Sequence, residues 1–123
     1  MPSLNKVQIM GNLGADPETR LTANGNAITS FRVAVNERWG EDKEDTEWFS
    51  VVTWNKLAEV CGKHLEKGRG VYVEGRLKTR SWEDKEKVKR YRTELIAQRV
   101  EFLDRGAGIP SGEDMDYDVP FEG

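Results

Sequence analysis

The sequence has little of what enzymes, metal proteins and membrane proteins depend on. It contains one cysteine, Cys61, and one histidine, His64. It therefore forms no internal disulfide and offers no set of cysteines and histidines for a structural zinc ion. No run of about 18 apolar residues occurs, so no membrane span is predicted. The first twelve residues lack the long apolar segment of a secretory leader, and these absences favour a cytosolic protein with a reduced thiol.

Patterns typical of catalysis are equally scarce. The sequence suggests no serine–histidine–aspartate or cysteine–histidine set. The glycine pairs at 11–14 and 68–70 do not join a strand to a helix start, as a phosphate-binding fingerprint requires. The acids between Glu41 and Glu47 alternate with Lys43, which is typical of a solvated hairpin tip rather than a metal site. We therefore expect no enzyme, no cofactor and no metal.

The net charge of −3 hides an uneven distribution. All 19 lysines and arginines lie at or before Arg105, together with 17 of the 22 acids, so residues 1–105 carry a charge of +2. Residues 106–123 carry the other five acids and no cation. The acidic average is therefore no argument against a polyanionic partner of the first part.

Short alternating runs of apolar and polar residues predict a protein built mainly from β-strands. The turn formers Asp16-Pro17 and Asn24-Gly25 separate the first two strands. Asn55 is placed to cap a helix where the apolar spacing changes from two to that of a helix. Three strands, one helix and two strands are predicted at residues 5–13, 27–39, 48–54, 55–68, 71–82 and 91–103.

This order is that of an OB-fold, a five-stranded Greek-key barrel, with one short helix between strands 3 and 4. We predict this all-β fold for residues 1–105. Residues 106–123 are rich in glycine, proline and acids and have few β-branched residues. Such a composition buries too little apolar surface to offset its ordering entropy, so a disordered acidic C-terminal tail is predicted there.

Two of the predicted strands place aromatic rings opposite the core side. In the third strand, Trp48 and Trp54 share the face opposite Phe49. The core side of the fourth strand is assigned to Val71, Val73, Gly75, Leu77, Thr79 and Ser81. Its other side holds Tyr72, Glu74, Arg76, Lys78, Arg80 and Trp82.

Cations beside flat rings are the combination that single-stranded nucleic acid needs, because cations follow the phosphates while bases stack on the rings. A solvated strand face is the plain alternative for the fourth strand alone. Tryptophans exposed on two strands favour a binding site, since leaving an indole in water forfeits the free energy of burying it. An oligomer interface or a second core layer remains the other alternative.

Residues 4–103 resemble the bacterial single-stranded DNA-binding protein family of homotetrameric OB-fold proteins. The segments that carry the resemblance are LNKVQIMGNLGADPETR, TEWFSVVTWNKLAEVCGKHLEKG, VYVEGRLKTRSWED and YRTELIAQRVEFL. The resemblance implies that bases stack on Trp39, Trp48 and Trp82, and on Trp54, where the family has a phenylalanine. It implies cations along the DNA path at Arg20, Lys56, Arg76, Lys78 and Arg80. Phe49 replaces a histidine that lies near a subunit interface in the family.

The last residues resemble the acidic tip of the same family, which docks on replication and repair proteins. The matching residues are Asp116, Asp118, Val119, Pro120 and Phe121. The family tip ends at its phenylalanine, whereas Glu122 and Gly123 follow here, so weaker docking is expected. The linker before the tip is short, and a tip held close to the basic strands is expected to compete weakly with DNA.

The sequence thus predicts a non-enzymatic, sequence-tolerant binder of single-stranded DNA. It would act in replication, recombination and repair, as a homotetramer in the nucleoid-associated cytoplasm. The alternatives are an OB-fold accessory protein of the primosome kind, which the acidic tip disfavours, and an RNA chaperone of the cold-shock kind. A small hydrolase is the enzyme alternative.

Overall fold

The computed structural model describes residues 1–103. In that range it has six strands and one helix. In chain order these are β1 (Val7–Leu13), β2 (Glu18–Leu21), β3 (Ala27–Arg38), β4 (Glu44–Trp54), α1 (Asn55–His64), β5 (Gly70–Glu83) and β6 (Lys89–Phe102). The tail predicted at 106–123, including the tip residues from Asp116 to Phe121, lies outside the described residues.

Five of the strands close into a barrel. The sheet runs β1-β5-β6-β4-β3, and β3 returns to β1 through the pairs Asn12–Ala34 and Leu13–Val33. The β4–β6 pairing is parallel, and the other pairings are antiparallel. This closure, with one short helix after the third barrel strand, confirms the OB-fold prediction.

The strand β2 was not predicted from the sequence, where only turn residues were expected between the first two barrel strands. β2 pairs with β3 outside the barrel ring, with Arg20 opposite Ile28. The hydroxyl groups of Thr19 and Thr29 share a hydrogen bond of 2.9 Å. All four residues of β2 are exposed, so the strand has no apolar alternation by which it could be recognised. The predicted turn at Asn24-Gly25 is present, with Gly25 at φ +82°.

The barrel interior is filled by the alternate apolar residues of the strands and by one side of the helix. Val33, Val51 and Val73 are fully buried at its centre. Leu57 and Cys61 of α1 pack on the same cluster. These side chains leave water together, and apolar burial of this kind is the main favourable contribution to folding.

The helix begins without the predicted cap. Trp54 is the N-cap residue, and no side chain caps the first turn. Asn55 is instead the first helical residue, at φ +56°. Asparagine tolerates this left-handed conformation better than most residues, because its short side chain bonds locally. Within residues 1–103 no helix has the length and apolar character needed to cross a membrane.

The hairpin of β5 and β6 extends beyond the barrel, which corrects the predicted core side of β5. Val71, Val73 and Gly75 are buried as predicted, whereas Leu77 is 39% exposed. Thr79 and Ser81 are exposed as well. The buried residues of β5 end at Gly75, where a Cβ atom would collide with the carbonyl oxygen of Ile96. Farther along β5 the residues are exposed or half-buried, whereas Glu94 and Leu95 on the facing strand stay buried.

Candidate nucleic-acid interface

The outward sides of four neighbouring strands form one continuous surface, which we call the binding face. On β4 and β3 the outward residues lie opposite each other as the pairs Trp54–Ile28, Val52–Ser30, Ser50–Arg32 and Trp48–Ala34. On β6 and β5 they form the pairs Ile96–Arg76, Glu94–Lys78, Arg92–Arg80 and Arg90–Trp82. Opposed pairs on one side of a sheet are close enough for their side chains to interact. The parallel pairing of Val52 with Ile96 joins the two halves.

An apolar patch lies at the centre of the binding face. Ile28, Val52 and Ile96 are buried together, and Trp54 packs partly buried against them. Burying Val52 and Ile96 on the outer side was not predicted from alternation. The buried patch supports one side of the Trp54 indole, while part of the ring stays accessible.

A groove of about 100 Å³ runs beside this patch. Its cationic lining comes from Arg20 on β2 together with Lys78 and Arg80 on β5. Trp54 lines the same groove. The structure therefore brings together four of the residues predicted from the sequence to contact DNA.

A second groove, of about 200 Å³, adjoins the first. Arg32 and Arg92 line it, with the hydroxyl-bearing Ser30 and Ser50. Both grooves share Ser30, Val52 and Glu94, so they form one continuous channel across the strands. The channel has an apolar floor. Its sides carry the cations named above together with acids, since Asp16 and Glu18 line the second groove and Glu94 lines both.

Trp48 lies at the end of the binding face next to the second groove. Its side chain is 45% exposed. The guanidinium carbon of Arg32 lies 4.7 Å from the centroid of its ring, within cation–π range. A Cβ atom at Gly14 would collide with the Cζ3 and Cη2 atoms of the indole, so Trp48 also packs closely on the backbone of that residue.

A three-residue ion cluster crosses the channel. Arg80 donates from Nε to Glu94 Oε1 at 2.9 Å and from Nη2 to Oε2 at 3.2 Å. Arg92 Nε lies 3.6 Å from Glu94 Oε2. Arg92 Nη2 donates to Ser50 Oγ at 3.3 Å. The side chain of Glu94 is 9% exposed, whereas those of the two arginines are about half exposed, at 52% and 51%.

The other two predicted stacking residues lie at hairpin ends, outside both grooves. Trp39 follows β3 and is 53% exposed, and Trp82, near the end of β5, is 46% exposed. Beside Trp82, Asp84 accepts from the Val88 N–H and from Arg90 Nε. These hydrogen bonds, that of Val88 first, hold the pKa of the Asp84 carboxyl below its usual value.

The remaining predicted cations take different positions. Arg76 is half-buried on the binding face opposite Ile96. Lys56 is exposed on the first turn of α1 and lines neither groove. The structure thus groups Arg20, Lys78 and Arg80 with Trp54, and places Lys56 apart from them.

Two arginines of the channel, Arg32 and Arg92, were not among the residues predicted from the sequence. Alternation does contain a signal for Arg32, because it lies between the apolar Phe31 and Val33 and therefore faces the other side of the strand. Arg92 could have been found from its position two residues before Glu94, an outward residue of β6. Among residues 1–103, no group of three or more histidines, cysteines or acids is arranged to hold a metal ion.

The chain is similar to known proteins over most of its length. The model of the single-strand binding protein family matches residues 4–103. A single-stranded DNA-binding protein 1 of Xylella fastidiosa is 41% identical over 135 aligned residues, covering 96% of this chain and 99% of that protein. A protein of the same name from Chlorobaculum tepidum is 46% identical over 113 residues, covering 85% and 70%. A solved structure, the Plasmodium falciparum SSB complex with ssDNA, superposes with a TM-score of 0.79 at 33% identity, covering 85% of this chain and 98% of that one.

Proposed function

Because this chain belongs to the single-strand binding protein family, it binds single-stranded DNA, and we propose that the strand lies along the channel of the binding face. The observation that supports this path is the grouping of Trp54 with Arg20, Lys78 and Arg80 around one groove. Members of the family are binding proteins rather than enzymes, and roles in replication and repair are typical of them.

Base stacking supplies the sequence-tolerant part of the proposed affinity. Every base has a flat π-face, and each base stacked on an aromatic ring is worth roughly 1–3 kcal/mol by alanine substitution. Trp54 offers a partly accessible ring in the first groove, and Trp48 offers one beside Arg32 of the second groove. Trp39 and Trp82 extend the stacking surface toward the hairpin ends. Duplex DNA competes poorly, because its bases are already stacked on one another.

Phosphate contacts supply the salt-dependent part of the proposed affinity for single-stranded DNA. Lys78, Arg80 and Arg20 line the first groove, and Arg32 and Arg92 line the second. Each contact releases counterions from the nucleic acid, so the logarithm of the affinity falls with the logarithm of the salt concentration by about 0.7 per contacted phosphate on a single strand. Arg76 and Lys56 are proposed to contact the strand where it leaves the channel.

The proposed assembly is a homotetramer, in which four binding faces give the DNA a continuous path. Sedimentation equilibrium is expected to give a mass near four times 14.0 kDa. A monomeric or dimeric mass would contradict the proposal. The proposed location is the nucleoid-associated cytoplasm.

The tip residues from Asp116 to Phe121, which lie outside the described residues, are proposed to recruit replication and repair proteins. Residues 1–105 would then be the DNA-binding domain, and 106–123 the linker and tip. Deleting residues 113–123 is expected to tighten DNA binding slightly and to abolish partner capture. If the deletion changes neither, the competition and docking proposals both fail.

The experiment that tests the function is a titration of tryptophan fluorescence with oligo-dT at several salt concentrations. Stacking predicts strong quenching, and phosphate contact predicts that affinity falls as salt rises. Equal affinity for a duplex of the same length, or no quenching, would contradict the stacking mechanism. Tighter binding of oligo-rU than of oligo-dT would favour the RNA-chaperone alternative. Hydrolysis of a test substrate in the presence of divalent metals would favour the alternative of a small hydrolase.

A further inference from the structure

An acidic side chain lies in the middle of the channel that we assign to a polyanion. Glu94 lines both grooves, is 9% exposed and pairs with Arg80 and Arg92. A carboxylate there lowers the positive potential that attracts DNA. Its presence calls for a physical reason beyond the fold, because the binding face would attract DNA more strongly without it.

We propose that Glu94 is a positioning residue, which orders Arg80 and Arg92 before the DNA arrives. This inference rests on the proposed function. A guanidinium group has five N–H donors, and Arg80 uses two of them on Glu94. Arg92 is held from two directions, by Glu94 and by the Ser50 hydroxyl. Both arginines are about half exposed, so each remains accessible to a phosphate while its conformation is fixed.

Two opposing effects determine the sign of the contribution of Glu94. Ordering a flexible side chain during binding lowers affinity by roughly 2–10-fold for each one, and prior ordering avoids that loss. The carboxylate of Glu94 also repels a phosphate, but the two arginines paired with it offset its charge locally, and salt screens the repulsion that is left. Because one carboxylate orders two arginines, we expect the ordering effect to exceed the repulsion.

Two substitutions separate geometry from charge. Glu94→Gln removes the charge and one acceptor oxygen, and Glu94→Asp keeps the charge but withdraws it by one methylene. In titrations of the full chain with oligo-dT, both are expected to weaken binding by roughly 3–10-fold. If Glu94 acted only as a counter-charge, Glu94→Gln would tighten binding and Glu94→Asp would leave it unchanged, and that pair of results overturns the proposal.

The matched control is Glu66→Gln, which removes an acid from an ion pair with Arg69 outside the binding face. Its affinity for oligo-dT is expected to equal that of the unsubstituted chain. Thermal melting of each variant verifies folding. If a Glu94 variant does not fold, Ser50→Ala tests the same ordering of Arg92 with Glu94 in place, and an affinity that stays unchanged there overturns the proposal.

A mutant cycle that combines Glu94→Gln with substitutions of Arg80 and Arg92 tests whether the role of Glu94 is purely structural. In a chain that carries Arg80→Gln and Arg92→Gln, Glu94→Gln is expected to leave affinity unchanged or to raise it. A structural role would weaken binding in both backgrounds. If the unsubstituted chain shows no quenching, the proposed function fails and this inference fails with it. If it shows quenching and the Glu94 variants bind as the unsubstituted chain does, this inference alone fails.

Discussion

The guanidinium of Arg32 on β3 lies 4.7 Å from the centre of the Trp48 ring on β4, and Arg32 also lines the second groove. The two residues are diagonal neighbours on one face, because Arg32 is paired with Ser50 and Trp48 with Ala34. A cation over an exposed indole is worth about 0.5–1 kcal/mol. The contact restrains the ring, and in the proposed DNA path it places a positive charge beside a base stacked on Trp48.

Replacing Arg32 therefore tests the second groove. Arg32→Ala is expected to weaken oligo-dT binding by about 1 kcal/mol, and to lower the salt slope by about 0.7 through the lost phosphate contact. Arg32→Lys keeps the charge and loses the flat guanidinium, so it is expected to keep the slope while losing part of the affinity. Fluorescence titrations at four salt concentrations measure both quantities. If Arg32→Ala has the same salt slope as the unsubstituted chain, the DNA does not pass through the second groove.

Trp54 is expected to contribute to DNA binding and to the stability of the fold at once. Trp54→Ala removes a stacking surface, worth roughly 1–3 kcal/mol of binding. It also uncovers Ile28, Val52 and Ile96, and we expect a loss of about 1–2 kcal/mol in the free energy of unfolding, less than for a fully buried tryptophan.

Two variants separate these effects. Trp54→Phe keeps a ring on the patch and is expected to retain most of both quantities. Trp82→Ala, at an exposed position 46% accessible to solvent, is expected to weaken binding with little change in stability. Urea unfolding and DNA titration on the same samples provide the comparison. If Trp54→Ala binds normally, Trp54 belongs to a second core layer rather than to the binding site.

Much of the binding face could be predicted because strand alternation is a local property. The side on which Trp48, Trp54 and Lys78 lie follows from counting residues once the strand is recognised. The end of the core side at Gly75 could not be predicted in this way. Leu77 continues the same alternation and is paired with Leu95, which is buried, yet Leu77 is 39% exposed. Which of the two is covered depends on the neighbouring strands, and alternation within β5 does not show it.

The parts that sequence analysis missed depend on contacts between strands distant in the chain. The pairing of Arg80 with Glu94 follows from the β5–β6 register, which contains an irregularity between Glu74 and Gly75. The half-burial of Trp54 requires Ile28 and Ile96, which come from two other strands. Neither arrangement has a signature in the sequence around the residue itself.

Lys78 provides a test of phosphate contact that is separate from stacking. Its side chain lines the groove beside Trp54. Lys78→Ala is expected to lower the salt slope of oligo-dT binding by about 0.7 while tryptophan quenching at saturation stays the same. Lys63→Ala, an exposed lysine in the last turn of α1, serves as the control and is expected to leave the slope unchanged. If both variants have the same salt slope, Lys78 makes no contact with a phosphate of the bound DNA.

Cys61 links the helix to the pH dependence of stability. Burial raises the pKa of its thiol from the ordinary 9.0 to about 12, and a hydrogen bond with Thr53 only partly opposes this. The folded protein therefore holds the proton at pH values where the unfolded chain releases it. The contribution is fully present below pH 9 and is lost as the pH rises toward 12, by up to about 1.4 kcal/mol per pH unit.

Comparison with Cys61→Ala isolates that contribution, because lysines and tyrosines titrate over the same interval in both proteins. The free energy of unfolding is expected to fall more steeply between pH 9 and 11 in the unsubstituted chain than in the variant. Thiol reagents at pH 8 are expected to modify Cys61 only after unfolding, since the reactive form is the thiolate. If the two pH profiles are parallel, or if the folded protein is labelled rapidly, the thiol is accessible to water. The helix α1 would then pack less tightly on the barrel than the full burial of Leu57 and Cys61 indicates.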